Sequence, residues 1–137
     1  MGESKKQPDK DYSFPQKCRL KKRSEFEAVF NFRNSAADSD IVVFLMPNGL
    51  GYSRLGIVIG RKLGNAVKRN RFKRIVREAF RKLKNSFPAN FDILVLPRNP
   101  LNTKLKSTDI ENSLAMLIEK LYAKLKNSSN SEENATQ

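Results

Sequence analysis

Histidine and tryptophan are missing from the chain altogether, and cysteine occurs once in 137 residues, at Cys18. Without imidazole the protein lacks the commonest general acid and base and a favoured metal ligand. A lone thiol closes no intramolecular disulfide and builds no cysteine-rich zinc site, which suits a reducing compartment. Acids are scarce as well. Asp and Glu number 14 against 27 Lys and Arg, so complete internal pairing still leaves an excess of 13 positive charges. Such a surplus, with a pI near 10.1, speaks for a polyanionic partner, first of all nucleic acid. No segment approaches the ~20 apolar residues of a membrane span, and the basic segment has no Trp to seat it at a lipid interface. The first sixteen residues contain no apolar signal core, and Lys6 stands where a myristoylation motif takes Ser or Thr. The expected location is the cytoplasm, with no membrane partner.

The length suits one domain, expected over residues 17–126. Residues 1–16, with Pro8 and Pro15, and 127–137, "NSSNSEENATQ", are nearly free of apolar side chains and are expected to be disordered tails. A first short helix is expected at "SEFEAVFNF": Ser24 and Glu27 have capping-box spacing, and Phe26, Val29 and Phe30 share a face. Two β-branched runs, Asp40–Pro47 and Arg54–Gly60, flank a Pro, Asn and Gly turn and predict an antiparallel hairpin. Phe91–Pro97, bracketed by Pro88 and Pro97, predicts a third buried strand. The last helix is expected from "STDIE", with Thr108 and Glu111 at capping-box spacing. Its apolar stripe is Ile110, Leu114, Leu117, Ile118, Leu121 and Leu125. Helix, strands, helix, strand, helix is the pattern of an α+β sandwich.

One element breaks a local rule. From Gly64 to Lys84 the chain reads "GNAVKRNRFKRIVREAFRKLK", nine cations and the single acid Glu78 on a helical pattern. At 100° per residue Phe72, Ile75, Val76, Ala79, Phe80 and Leu83 fall on one face, which is core. Asn70, Lys73, Arg74, Arg77, Arg81 and Lys84 line the other, flanked by Arg71, Glu78 and Lys82. Glu78 can relieve its i−4 and i+4 neighbours Arg74 and Lys82. With Asn65 as N-cap, Lys68, Arg69 and Arg71 lie in the first turns, where the helix dipole disfavours cations. A merely solvated face predicts mixed signs. A phosphate reverses every one of these unfavourable terms, since backbone N–H groups, dipole and guanidinium forks all favour it. Phe26, Phe30 and Phe44 offer stacking surfaces of the kind single strands use. Spacing by itself favours the plainer reading of these aromatics as core.

Taken together, "GRKLGNAV" followed by "KRNRFKRIVREAFR" resembles the signature of the bacterial ribonuclease P protein component, the R-N-R motif family. Upstream, Leu20, Lys21, Phe26, Val29 and Phe30 of "RLKKRSEFEAVF" match that family's opening helix, and the similarity runs from Cys18 to Leu125. The resemblance implies a two-layer α+β sandwich in α-β-β-β-α-β-α order. Its four-stranded sheet would have a left-handed β-α-β crossover, ribosomal protein S5 domain 2-like, whereas general rules predict the right-handed kind. A further short strand is then expected between Asn34 and Asp40. The implied function is assistance to a catalytic RNA that removes the 5′ leader of precursor tRNA, one protein per RNA. Chemistry and Mg²⁺ would reside mainly in the RNA, with no catalytic residue or metal ligand in this chain. By the same resemblance Arg61, Lys62, Lys68, Arg69, Asn70, Arg71, Lys73, Arg74, Arg77 and Arg81 contact RNA, and Phe26, Phe30 and Phe44 line the leader cleft. The chain departs from the family at "IGRK", where many members have V-S-K-K; Arg61 and Lys62 keep the charge.

Three other functions share some of these features. A structural RNA-binding protein of ribosomal type needs the charge but no aromatic cleft. A protein-only nuclease needs clustered carboxylates, for which Asp38, Asp40 and Asp92 are the candidates, although isolated acids at strand starts mostly serve turns and caps. A DNA-binding helix-turn-helix would place its basic helix after a partner helix, not after a strand.

Overall fold

Residues Phe91 to Val95 are all buried, because this strand lies inside a four-stranded sheet and is covered on both faces. The structure, a computed structural model, describes residues 13–135, with side chains described through residue 127. Along the chain come α1 (Arg23–Phe32), β1 (Ser35–Ala37), β2 (Ile41–Pro47) and β3 (Arg54–Ile57). They are followed by α2 (Ala66–Leu83), β4 (Phe91–Pro97) and α3 (Ser107–Ala135). The sheet order is β1-β2-β4-β3, antiparallel except for the parallel pair β3 and β4, which α2 connects.

The expected hairpin of Asp40–Pro47 with Arg54–Gly60 does not form. β2 and β3 run in opposite directions, but β4 inserts between them and takes both as neighbours. The physical reason is the apolar run "ILVL" from Ile93 to Leu96, which needs cover on two faces and so takes an inner position. β3 also ends at Ile57, earlier than the apolar run. β1 falls in the interval between Asn34 and Asp40.

Strand alternation divides the side chains between two cores. Ile41, Val43 and Leu45 of β2 with Ile93 and Val95 of β4 meet Phe72, Ile75, Val76, Ala79 and Phe80 of α2 and Ile110, Leu114, Leu117, Ile118 and Leu121 of α3. Leu94, with Phe44, Met46 and Leu96, faces the other way and packs with Leu20, Phe26, Val29 and Phe30 under α1. The sheet thus has helices on both faces, so α1 adds a partial third layer to the expected two. Phe80 is fully buried and makes an edge contact with Phe14 at 5.4 Å. Emptying such a position costs about 3–5 kcal/mol.

Both expected capping boxes shift toward the N-terminus. α1 begins at Arg23, and Glu25 rather than Glu27 accepts from the backbone N–H groups of Lys21 and Lys22, at 2.8 and 3.0 Å. Glu27 pairs with Arg23 instead. In α3, Asp109 accepts from the Lys106 N–H at 2.9 Å, while Glu111 approaches Lys82 at 3.5 Å. An acid two residues into the helix serves the end wherever the chain actually turns in.

The expected tails also change. Residues 1–12 and 136–137 lie outside the described residues, but Phe14 already belongs to the fold through Phe80, and α3 continues past residue 126 to Ala135.

Candidate nucleic-acid interface

The cationic helix starts where its sequence predicts. Asn65, in extended conformation, accepts the Lys68 N–H on its side chain at 2.9 Å and caps α2. Its five inward residues, from Phe72 to Phe80, are buried, with Leu83 packed at the edge. Asn70, Arg74 and Arg77 are exposed, as are Arg61 and Lys62 in the single turn Arg61–Leu63 just before the helix. Lys68 is exposed; Arg69, Arg71, Lys73 and Arg81 are half-buried.

Among the described residues, none of Lys68, Arg69, Arg71, Lys73, Arg74 and Arg77 forms an ion pair with an acid. Arg69 donates to the Gly64 carbonyl and Arg71 to that of Thr103. Among the described residues Glu78 forms no ion pair with Arg74 or Lys82, and Lys82 turns to Glu111 of α3. The positive potential of the outer face is left standing, and in the first turn it adds to that of the helix end.

Tertiary contacts sort these cations into two groups. Lys68 and Arg71 border a small depression with Leu101, Asn102 and Thr103 of the β4–α3 connection. Lys73 and Arg77 line a cleft with Phe14, Arg19, Leu20, Phe26 and Gly56, between α1, β3 and α2. A neighbouring groove joins Arg74, Arg77, Glu78 and Arg81 to the same Phe14 and Arg19. Sequence spacing had no means of placing Phe14 and Arg19 here, since they reach the site from the segment before α1. The Arg19 guanidinium lies 4.4 Å from the Phe14 ring centre. Its Nε is buried without a hydrogen-bond partner among the described residues.

The three aromatics come together on one sheet face but not in one role. Phe30 and Phe44 pack edge to face at 4.8 Å, and both are half-buried in the small core under α1. Phe26 borders the cleft, its ring lying over Gly56: a Cβ there would stand 2.6 Å from Phe26 Cε2. Beside it, Arg54 donates through Nε and Nη2 to the two carboxylate oxygens of buried Asp92, at 2.8 and 2.6 Å, and through Nη1 to Glu25 at 3.0 Å. Asn48 completes Asp92 at 3.0 Å.

The acids weighed for a protein-only nuclease are dispersed. Asp92 pairs with Met46 in the sheet register, at the opposite end of β2 from Asp38 and Asp40, about 17–20 Å away at strand rise. Asp38 accepts from the backbone N–H groups of Asp40 and Ile41 in a turn. Burial raises the Asp38 carboxyl, but the Ser113 hydroxyl and those N–H groups prevail and hold it below its ordinary range.

Residues 14–122 match the family described as Ribonuclease P. The ribonuclease P protein component of Thermotoga petrophila is 45% identical over 97 residues, 71% of this chain and 83% of that protein. The component from Petrotoga mobilis is 36% identical over 114 residues, 81% of this chain and 97% of that one. The solved RNase P protein of Thermotoga maritima superposes with a TM-score of 0.66 at 39% identity, covering 74% of this chain and 96% of that chain. Family match, relatives and solved fold agree, and the chain belongs to the ribonuclease P family as a protein component of that tRNA-processing enzyme.

Proposed function

We propose that this chain binds the catalytic RNA of ribonuclease P through the outer face of α2 and holds the 5′ leader of precursor tRNA in the cleft beside Phe26. The observation that carries this reading is the cleft itself, lined by Phe26 of α1 and by Lys73 and Arg77 of α2, which have no acid partner among the described residues. Stacking needs the first and phosphate binding the second. Arg61, Lys62, Lys68, Arg69, Asn70, Arg71, Arg74 and Arg81 extend the contact to the RNA, and Phe30 and Phe44 support the aromatic wall.

The protein then acts as an adaptor between two polyanions that repel each other. Cations neutralise phosphates of both, and a held leader raises the effective affinity for precursor over mature tRNA, which lets product leave. Hydrolysis belongs to the RNA, where Mg²⁺ held mainly by that RNA would supply Lewis-acid chemistry, and this chain's residues bind and position the substrate. One protein serves one RNA, in the cytoplasm. The same reading includes a left-handed β3-α2-β4 crossover and kinship with the ribosomal protein S5 domain 2 fold.

Reconstitution with the RNA at low Mg²⁺ tests it. Cleavage of precursor tRNA should require the RNA, and the protein should raise affinity for precursor and leave that for mature tRNA nearly unchanged. Equal enhancement of both would favour a structural RNA-binding protein of ribosomal type, and cleavage by protein alone would sink the adaptor altogether.

A further inference from the structure

Two contacts join the same two elements at successive positions along the face where they meet. Glu25 of α1 holds Arg54 of β3, and the next residue of α1, Phe26, lies against Gly56, the next residue of β3 on that face. Both β3 positions are directly opposite β4 partners, Arg54 opposite Asp92 and Gly56 opposite Leu94. An ionic layer and an apolar layer are thus stacked across β4, β3 and α1.

We infer that Gly56 is a positioning residue that sets how deep the Phe26 ring sits in the cleft, with the Glu25–Arg54–Asp92 chain holding α1 at that height. This rests on the leader reading proposed above. A methyl group at position 56 would stand 2.6 Å from Phe26 Cε2 and 2.8 Å from Leu94 Cδ2, closer than carbon atoms approach. Leu94 is fully buried between packed neighbours and cannot retreat. Phe26 is half-buried at the cleft edge, so it is the ring that moves, outward into the space shared with Arg19, Lys73 and Arg77. The ring would then fill the space a base must enter beside the cations that hold its phosphate, and a base could not stack while its backbone is bound. Glycine is required here for the close approach of a ring, not for its backbone freedom, since its φ is unexceptional.

The test uses holoenzyme reconstituted with ribonuclease P RNA and the variants Gly56→Ala, Phe26→Ala and their combination. Three affinities are measured, for the RNA, for leader-bearing precursor and for mature tRNA. Gly56→Ala should lower the precursor-over-mature preference about tenfold, keep RNA affinity within about twofold, and add nothing to Phe26→Ala in the double variant. Should Gly56→Ala misfold, Glu25→Gln keeps Gly56 and slackens the tie to Arg54; a loss of about threefold in the same preference is then expected. Additive losses in the double variant, or an unchanged preference in Gly56→Ala while Phe26→Ala loses it, overturn the inference alone. An unchanged preference in Phe26→Ala removes the leader reading and the inference with it.

Discussion

Arg54 and Asp92 stand opposite each other in the parallel β3–β4 ladder and meet in a two-bond fork, Nε to Oδ1 at 2.8 Å and Nη2 to Oδ2 at 2.6 Å. Asp92 is 2% exposed at its side chain and Arg54 20%, so the carboxylate depends on this guanidinium and on Asn48 for the solvation it has lost. Arg54→Ala should therefore destabilise the fold by about 3–5 kcal/mol, measured by urea unfolding, because it strands a buried charge. Arg54→Lys should recover part of that loss, since an ammonium keeps the charge but not the fork.

Glu25 titrates under the influence of the same network. Hydrogen bonds from the Lys22 and Lys21 N–H groups, with Arg54 nearby, outweigh desolvation and hold its carboxyl below the ordinary 4.5. Near that pH the unfolded chain binds more protons than the folded one, so stability rises with pH. The contribution is complete above the ordinary value and is lost as pH falls through the lowered one. Glu25→Gln should flatten this part of the acid limb in unfolding midpoints measured from about pH 6 downward.

Asn65 caps α2 at the end where cations crowd. Asn65→Ala should cost about 1 kcal/mol of stability. Asn65→Asp should keep or raise stability, because a carboxylate suits both the helix dipole and the neighbouring Lys68, yet weaken RNA affinity by repelling phosphate. Opposite signs in thermal unfolding and RNA titration are the expected signature; a joint rise would mean that this helix end does not face RNA.

Arg74 and Arg77 are exposed and have no acid partner among the described residues. Replacing both with Ala should reduce the slope of log affinity against log salt by about 1.4–1.8, at 0.7–0.9 per phosphate contact. Stability should change by less than about 0.5 kcal/mol, as for other surface substitutions. RNA titrations between about 50 and 200 mM salt check the first, and unfolding curves the second.

Much of this fold is local enough to read along the chain. The inner faces of α2 and α3 follow a period of 3.6, and Asn65 marks its helix start by the chemistry of its own side chain. Strand pairing is different in kind. β2 and β3 look like a hairpin because turn residues separate them, and nothing within that stretch reports the later strand that enters between. Similarly, S-x-x-E spacing identified helix starts but not which acid serves them, a matter of where the chain enters the helix.

By itself the amino-acid sequence determined the charge excess, the amphipathic helices and the burial of β4, because each is a property of neighbouring residues and of composition. Tertiary structure alone decided that Arg19 and Phe14 stand with Lys73 and Arg77, that Phe26 lies on Gly56, and that Arg54 is shared between Asp92 and Glu25. Those contacts join segments distant along the chain, and their distances follow from how α1 and α2 seat on opposite faces of one sheet, which no local pattern encodes.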